Sequence, residues 1–287
     1  MTYHIQPCDS VIGARVNGVS LQTVPDQETI DAIEADLEKY GVLIFPDQDI
    51  SPAQQISFSK AFAILEITGV THARLPGFEE IFVVGNTGEK LVTFSPPTIG
   101  GELEWHSDHI HRKIPARASL LYAKEVPDEG GDTLFACMYS AYDALTEEQK
   151  LEYETLRVIN SVSGLQAYLI RQGHEFGSDT RDPRITDDQV VWPLVRRHPL
   201  TGRRALYFGN QVSVGIVGFN ENRARAFIQK LTEHACRADF QLRHHWQKGD
   251  AVLWDNRRVL HAGTPYDVEN SRRLMHRTTW RETDNIE

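Results

Sequence analysis

The stretch Ala251-Val252-Leu253-Trp254 is one of several short apolar runs that decide the fold. Each run has the length of a β-strand, and Gly- and Pro-containing segments separate the runs. Most of them follow residue 80, and they do not alternate strictly with helical segments. This pattern favours a mixed α/β, mainly β chain, an antiparallel sandwich or jelly roll, over a doubly wound parallel sheet. The other runs are Val42–Phe45, Ile81–Val84, Ala118–Tyr122, Ala205–Phe208 and His276–Trp280.

Capping signals and helical periodicity predict four helices outside the sheet. Apolar residues recur at helical spacing after Asp26, and Gly41 provides a stop. Ser51 and Thr146 are each followed three residues later by glutamine, which is a capping-box arrangement. The fourth helix is expected from about Glu221 to His234. The polar segment Leu165–Val190 is irregular, and two interpretations stay open for it: a lid or binding loop, and a surface insertion.

Length and composition indicate a soluble globular protein. The 287 residues contain no internal repeat or low-complexity linker, so we expect a single domain spanning 1–287. Apolar residues make up 40% and charged residues 24%, which is ordinary for such proteins. The formal charge of −10 and the lack of a basic run argue against nucleic-acid binding.

The three cysteines are far apart in the sequence and odd in number, which argues against a disulfide framework. The first 20 residues contain no apolar signal-peptide core, and no apolar run is long enough to span a membrane. We therefore predict a cytoplasmic protein with no membrane partner.

The segment Glu104-Trp105-His106-Ser107-Asp108 contains an H-x-D pair. In an extended strand, residues i and i+2 point to the same side, so His106 and Asp108 would face one centre. His261 is the candidate third ligand. Two histidines and one carboxylate form the facial triad of mononuclear non-haem iron(II) oxygenases, which leaves positions free for a 2-oxo acid and dioxygen.

Other interpretations of these residues stay open at this point. A short H-x-D is common, and it also occurs as surface polar residues on an edge strand. Three-ligand catalytic zinc sites use similar side chains, so a zinc hydrolase is a rival from another class. His109 is expected to point away from the metal and His111 to return to the metal-facing side. Both are interpreted as second-layer, substrate-pocket or exposed surface residues.

A basic segment shortly after His261 indicates an anion site. In a strand Arg273, Met275 and Arg277 share a face. An arginine side chain has a planar fork suited to a carboxylate. A solvated basic strand is the alternative, and the position of the segment just after His261 argues against it. Thr133 follows a Gly130-Gly131 turn and could donate its hydroxyl to a carboxylate.

Four segments in the same order resemble the taurine dioxygenase / 2,4-dichlorophenoxyacetate dioxygenase family of iron(II)/2-oxoglutarate enzymes. They are Trp105-His106-Ser107-Asp108, Gly130-Gly131-Asp132-Thr133-Leu134-Phe135, Trp254-Asp255-Asn256-Arg257-Arg258-Val259-Leu260-His261 and Arg273-Leu274-Met275-His276-Arg277. Looser similarity covers nearly the whole chain.

The resemblance implies a double-stranded β-helix (jelly-roll) core with flanking helices. It implies Fe(2+) bound by His106, Asp108 and His261, with 2-oxoglutarate and O2 as cosubstrates and succinate and CO2 as products. Arg273 and Thr133 match the family residues that bind the distal carboxylate of 2-oxoglutarate. Trp254 matches a residue that flanks this cosubstrate. Arg277 matches the arginine that holds the sulfonate in the taurine enzyme. The resemblance also suggests that Arg277 lies near the oxo-acid carboxylate.

The sequence departs from the taurine pattern where the substrate is chosen. Thr68 and Thr71 stand where the taurine enzyme has a histidine and a tyrosine, and Glu102 replaces an asparagine. The C-terminal third is more similar to the phenoxyacetate enzymes. We therefore predict hydroxylation of a small anionic organic substrate, such as an aryl or aryloxy carboxylate, with collapse of the product when the hydroxylated carbon bears an ether.

Two alternatives accompany this prediction: a sulfonate or alkyl-sulfate dioxygenase of the same family, and a non-catalytic jelly-roll binding protein. The family also suggests a homo-oligomer.

Overall fold

The computed structural model describes residues 3–86, 98–99, 102–171, 189–210 and 212–283. The strands are β1 His4–Pro7, β2 Ala14–Asn17, β3 Val42–Phe45, β4 Arg74–Leu75, β5 Phe78–Gly85, β6 Thr98–Ile99, β7 Glu102–Leu103, β8 Ala116–Glu125, β9 Thr133–Cys137, β10 Arg157–Ser161, β11 Gln189–Pro193, β12 Val195–Arg197, β13 Arg204–Leu206, β14 Ser213–Ile216, β15 Gln241–His244, β16 Ala251–Asp255, β17 Val259–Gly263 and β18 Leu274–Arg281. The helices are α1 Gln27–Tyr40, α2 Pro52–Lys60, α3 Met138–Asp143, α4 Glu147–Tyr153, α5 Val162–Arg171 and α6 Glu221–Ala235, with short 3₁₀ helices at Thr71–Ala73 and Ala238–Phe240.

Two sheets form the centre of the fold. The large sheet has the order β1-β2-β3-β16-β8-β18-β5-β4, and a smaller sheet has the order β15-β9-β17. All neighbours in these sheets pair antiparallel except β2 and β3. Side chains from both sheets join one hydrophobic cluster, so the two sheets pack face to face. The prediction of a mainly β jelly roll is confirmed.

Alternation along the central strands explains why both faces of the large sheet are covered. On β16, Val252 and Trp254 belong to the cluster shared with the small sheet, while Ala251 and Leu253 belong to a second cluster. That second cluster includes Ile33 of α1 and residues of α2. Because strand side chains alternate between faces, an uninterrupted apolar run requires a layer on each side. The helices α1 and α2 supply the outer layer.

The capping signals correspond to real helix ends. The Asp26 side chain accepts a hydrogen bond from the Thr29 amide, and Gly41 ends α1 with a φ of 72°. Capping boxes are present at Ser51 and at Thr146, as predicted. The predicted fourth helix is α6, which begins at Glu221 and ends at Ala235.

Two predictions need correction or fall outside the described residues. The irregular segment expected from Leu165 instead continues α5 to Arg171, because the apolar residues there follow helical rather than random spacing. Residues 172–188, the rest of that polar segment up to β11, lie outside the described residues. No helix in the described part of the chain is long and apolar enough to cross a bilayer.

Candidate active site

His106 and His261 come together through their backbones. The His106 amide donates to the His261 carbonyl over 3.0 Å, and the His261 amide donates back over 2.9 Å. Their ring centroids are 4.1 Å apart. Nδ1 of His106 lies 2.9 Å from the Glu104 carbonyl oxygen, so this nitrogen carries the proton and Nε2 is left with a lone pair. One imidazole is therefore oriented for metal binding by its own neighbouring backbone.

Asp108 completes the cluster, but it does not lie on a strand. His106 forms a single β-bridge, and residues 108–111 form a turn in which His109 has a φ of 53°. The expectation that strand geometry runs through the H-x-D segment is therefore wrong beyond His106. Even so, one ligand atom from each of His106, Asp108 and His261 lies within 4.8 Å of the others. The turn brings the carboxylate to the side where strand alternation would also place it.

The turn also changes the position of His109. We expected its side chain to point away from the candidate metal ligands in a regular strand, but His109 lies in the turn, with a φ of 53°. Its Nδ1 is buried with no hydrogen-bond partner. Burial, and then Arg112, hold the pKa of His109 well below its ordinary value. The strand geometry on which the expectation for His109 rested is therefore absent, and the direction of its side chain stays a prediction.

The protonation states at the cluster suit a divalent cation. Burial lowers the pKa of His106, and burial together with the neighbouring His106 lowers that of His261 further. Burial opposes ionisation of Asp108, but the adjacent Arg277 guanidinium and then the two histidines outweigh it and lower the pKa of Asp108. Two neutral imidazoles and one carboxylate are the forms that bind metal, so no proton has to leave at neutral pH.

His261 also provides a test of whether this donor set fits a metal. Its Nε2 lies 3.8 Å from Oδ2 of Asp108, and its Nδ1 is buried with no hydrogen-bond partner. A buried imidazole that lacks hydrogen bonds loses its hydration without compensation. A cation between Nε2 and the carboxylate would give the ring a partner at Nε2, the nitrogen that faces Asp108. Two imidazoles and one carboxylate are the donor set that suits iron(II), and the residues present fit it.

Arg273 is a buried cation near the small sheet. It lies one residue before β18, not within the strand as predicted, and its side chain is buried. No carboxylate forms an ion pair with it among the described residues. Burial lowers the pKa of Arg273, and Tyr266 and Asp132 oppose this only in part. A guanidinium that has lost water without gaining an anion is prepared to bind one.

A glycine turn makes room for this arginine. Gly131 has a φ of 66°, and a Cβ there would lie 3.4 Å from Cδ and Nε of Arg273 and 2.9 Å from Cγ of Pro127. The turn predicted at Gly130-Gly131 is present, with both residues at positive φ. Only glycine combines this backbone conformation with so close an approach. The turn therefore leads the chain past Arg273 into β9 at Thr133.

The hydroxyl of Thr133 is already oriented. Its Oγ1 accepts a hydrogen bond from Nε1 of Trp246 over 2.9 Å. A hydroxyl that accepts from one side keeps its hydrogen for an acceptor elsewhere. Thr133 pairs with Gly263, in the same strand pairing that joins Phe135 to His261. The hydroxyl is thus on a strand directly beside the one that carries a candidate metal ligand.

Trp254 and Arg277 both contact the histidine-carboxylate cluster. The Trp254 ring lies 4.7 Å from the His261 ring, and its Nε1 donates to Oδ1 of Asn256 over 3.0 Å. Arg277 hydrogen-bonds to Oδ1 of Asp108, and its guanidinium lies 4.8 Å from the centre of the Phe82 ring. Their roles toward cosubstrate or substrate stay predictions, but both are next to the candidate ligands.

Three residues of the site were not predicted to have a role: Ser119, Trp246 and Asn256. Ser119 donates to Oδ2 of Asp108 over 2.7 Å, and Asn256 Oδ1 accepts from the Asp108 amide over 3.2 Å. One signal was present for Ser119, since it is the one small polar residue within the apolar run Ala118–Tyr122. A polar residue in a strand buried on both faces needs a partner. Nothing in the sequence indicates which partner that is.

Known proteins with similar sequences and structures are 2-oxoglutarate-dependent dioxygenases. The family described as taurine catabolism dioxygenase TauD, TfdA family, matches residues 2–279. The (S)-phenoxypropionate/alpha-ketoglutarate-dioxygenase of Sphingobium herbicidovorans is 34% identical over 96% of this chain and 93% of its own. The alpha-ketoglutarate-dependent 2,4-dichlorophenoxyacetate dioxygenase of Cupriavidus pinatubonensis is 31% identical over 97% of this chain and 98% of its own. The crystal structure of AAD-2 with Mn(II) and N-oxalylglycine has a TM-score of 0.81 and 31% identity, and the match covers 100% of both chains.

A jelly roll with two histidines and a carboxylate around one point defines the class of mononuclear metal oxygenases. Within that class, the chain belongs to the taurine dioxygenase / TfdA family. The prediction of the family, and of a 2-oxoglutarate-dependent dioxygenase as the kind of enzyme, is confirmed.

Proposed function

We propose that this enzyme hydroxylates an aryloxyalkanoate, a carboxylate whose α-carbon bears an aryl ether. Fe(II) and 2-oxoglutarate are its metal and cosubstrate: the His-Asp-His donor set supports the metal, and the names of the relatives support the cosubstrate. In this proposal His106, Asp108 and His261 bind the iron. Arg273 and Thr133 bind the distal carboxylate of 2-oxoglutarate, and Trp254 flanks the cosubstrate. Arg277 lies on the substrate side.

One observation carries the assignment of the cosubstrate site. Arg273 is buried without a carboxylate partner among the described residues, and its side chain lies against Gly131, two residues before Thr133, whose hydroxyl hydrogen is available. Together they offer a charged fork and one O–H donor to an incoming carboxylate. A zinc hydrolase built on the same three ligands would leave this anion site without a use. The arrangement therefore supports the oxygenase over the hydrolase.

The bound iron supplies oxygen activation, coupled to decarboxylation of 2-oxoglutarate, and the protein supplies the geometry. The substrate C–H bond has to lie at the open side of His106, Asp108 and His261 while Arg273 holds the cosubstrate. One oxygen atom of O2 enters succinate and the other becomes the hydroxyl group of the product. When the hydroxylated carbon also bears an aryl ether, the bond between that carbon and the ether oxygen breaks and the hydroxyl proton passes to the departing oxygen, giving a phenol and a 2-oxo acid.

The substrate class rests on charge and on the relatives. The chain carries a net charge of −10, so an anionic substrate needs a local cation, and Arg277 supplies one beside the metal ligands. The relatives named for phenoxypropionate and 2,4-dichlorophenoxyacetate both act on aryloxy carboxylates. A sulfonate or alkyl sulfate has the same charge and is the closest competitor.

A substrate screen tests the proposal. Purified enzyme with Fe(II), ascorbate and 2-oxoglutarate is incubated with 2-aryloxyacetates, 2-aryloxypropionates, alkyl sulfonates and alkyl sulfates, and succinate and released phenol are measured. We expect oxygen-dependent succinate and an equal amount of phenol with the aryloxy carboxylates. Succinate formation confined to sulfonates or sulfates would assign the alternative substrate. Absence of succinate throughout, with tight zinc binding, would contradict the oxygenase.

We also propose that residues 1–287 act as one catalytic domain in the cytoplasm, as a homo-oligomer, without nucleic-acid or membrane partners. The family match over residues 2–279 supports the single domain. Size-exclusion chromatography with light scattering tests the oligomeric state.

A further inference from the structure

Asn256 lies at the centre of a hydrogen-bond network around Asp108. Its side chain is buried, with 1% exposure. Its Oδ1 accepts from the Asp108 amide over 3.2 Å and from Nε1 of Trp254 over 3.0 Å. Its Nδ2 donates to Oγ of Ser119 over 3.1 Å. One amide therefore contacts the main chain of a candidate metal ligand, the indole beside His261 and a hydroxyl on β8.

Ser119 transmits this arrangement to the carboxylate. Because its Oγ accepts from Nδ2 of Asn256, its own hydrogen is free to be donated on the other side. That hydrogen goes to Oδ2 of Asp108 over 2.7 Å. Oδ1 of the same carboxylate bonds to Arg277. Both oxygens of Asp108 thus have a fixed partner, and the orientation of one of them depends on the amide of Asn256.

The backbone around Asn256 is fixed independently of its side chain. Oδ1 of Asp255 lies 2.8 Å from Nε of Arg257, and Oδ2 lies 2.9 Å from Nε2 of His198. The main-chain N–H of Asn256 donates to the Arg117 carbonyl over 2.9 Å. These contacts hold the turn between β16 and β17 without the Asn256 side chain. The Asn256 side chain is therefore not needed to hold this turn, because the neighbouring contacts already do so.

We propose that Asn256 and Ser119 are positioning residues for the carboxylate ligand of the iron. Together they form a relay, Asn256 Nδ2 to Ser119 Oγ to Asp108 Oδ2, that sets the side-chain rotamer of Asp108 before the metal binds. The Asn256 Oδ1 contact to the Asp108 amide fixes the main chain at the same point. The inference rests on the proposed function, because it assigns Asp108 as a ligand. Hydrogen-bond partners of metal ligands orient those ligands and raise metal affinity.

Two substitutions break the relay at different atoms. Asn256→Asp keeps an oxygen acceptor for the Asp108 amide and for Trp254, but it replaces the Nδ2 donor with a second acceptor. The Ser119 hydroxyl can then turn toward residue 256 and leave Asp108. Ser119→Ala removes the donor to Asp108 directly, so the inference remains testable if the asparagine variant fails to fold. Ser59→Ala is the matched control. It deletes a buried serine hydroxyl that is bonded to Thr278 over 2.7 Å. Ser59 lies on α2, which packs on the outer face of the large sheet.

The experiment uses Co(II) alone as the probe and requires no turnover. Calorimetry gives the Co(II) dissociation constant of each full-length protein, visible d–d absorption reports the coordination, and metal-free thermal denaturation reports folding. We expect Co(II) binding to weaken about tenfold to a hundredfold in Asn256→Asp and in Ser119→Ala, with an altered d–d spectrum. Ser59→Ala should bind Co(II) like wild type while losing comparable stability.

Asp108→Ala separates this inference from the proposed function. If wild type and Asp108→Ala bind Co(II) equally, Asp108 is not a ligand and the metal site itself is wrong. If Asp108→Ala loses binding while folded Ser119→Ala and any folded Asn256→Asp keep wild-type affinity and spectrum, the metal site stands and the relay is overturned.

Discussion

The backbones of His106 and His261 are hydrogen-bonded to each other in both directions, over 3.0 Å and 2.9 Å. This bridge ties a segment before β8 to β17, so two candidate ligands from distant parts of the chain occupy fixed places. Asp108 has no such pairing, and its position depends on the turn that begins there and on side-chain hydrogen bonds. Of the three candidate ligands, Asp108 is therefore the one whose position depends most on side-chain hydrogen bonds.

Asp108→Ala should abolish both metal binding and succinate formation. The two imidazoles that remain cannot complete a three-ligand face, and the Arg277 guanidinium would be left near the metal site without its carboxylate partner. Calorimetric Co(II) titration and a succinate assay measure the two losses. Asp143→Ala, which removes a carboxylate from a mostly exposed pair with Arg203, should leave both unchanged. Normal turnover by Asp108→Ala would remove this residue from the metal site.

Arg273→Ala should raise the KM for 2-oxoglutarate about tenfold to a hundredfold, because a charge-assisted hydrogen bond contributes on the order of 1.5–3 kcal/mol. Steady-state succinate formation at varied 2-oxoglutarate measures the effect. Arg272→Ala is a matched control, since this neighbouring arginine is 72% exposed and pairs with Glu125 at the surface. An equal effect of the two substitutions would indicate general loss of positive charge rather than a specific carboxylate site.

Gly131→Ala should also raise the KM for 2-oxoglutarate. A Cβ at this position would crowd Pro127 and the Arg273 side chain, and would therefore displace the guanidinium. The control is Gly202→Ala, which has nearly the same φ, 67°, but no atom within 4 Å of the added Cβ. Both variants should lose about 1–2 kcal/mol of stability from the left-handed backbone. Only Gly131→Ala should change the KM, and a normal KM there would place the cosubstrate away from Arg273.

Thr133→Val should raise the same KM about tenfold, because it deletes one hydroxyl hydrogen bond to a charged group. It should also destabilise the fold by about 1–3 kcal/mol, since Nε1 of Trp246 loses its acceptor. Thr133→Ser retains the hydroxyl and should keep a KM close to that of wild type. A wild-type KM in the valine variant would mean that Thr133 only supports Trp246.

His276 should make the metal-free protein less stable in mild acid. Burial, and then Lys124, lower the pKa of His276 from 6.5 to about 4. The unfolded chain therefore binds the proton more readily, so the stabilising contribution is complete above pH 6.5 and is lost as the pH falls toward 4. Roughly 2 kcal/mol should be lost by pH 5 and about 3 kcal/mol at the lower limit.

Denaturant unfolding of wild type and His276→Gln at pH 7 and pH 5 measures this contribution. The stability difference between the two proteins should shift by that amount in favour of the variant at the lower pH. Parallel pH profiles for the two proteins would show that His276 does not contribute.

Apolar runs and capping signals were sufficient for strands β3, β5, β8, β13, β16 and β18 and for helices α1, α2, α4 and α6. Val42–Phe45 and Ala251–Trp254 are neighbouring strands inside the large sheet. Uninterrupted apolar runs such as these are stable only when both faces of the sheet are covered. The capping boxes at Ser51 and Thr146 depend on contacts three residues apart, and such local contacts can be predicted without the tertiary fold. The prediction of an irregular segment from Leu165 was wrong as far as Arg171, because α5 continues to that residue.

The sequence by itself determined the residue types of the site: two histidines and a carboxylate, an arginine shortly after the second histidine, and a threonine after a glycine turn. Those residue types are enough to predict the class of reaction, because the set of metal-binding atoms specifies the chemistry. Only the tertiary structure decided how they are arranged. The turn at Asp108, the lack of an ion-pair partner for Arg273 among the described residues, and the contacts of Asn256 and Ser119 with Asp108 join segments far apart in the chain. Long-range hydrogen bonds and burial leave no periodic pattern in a sequence, and they are what orient these groups.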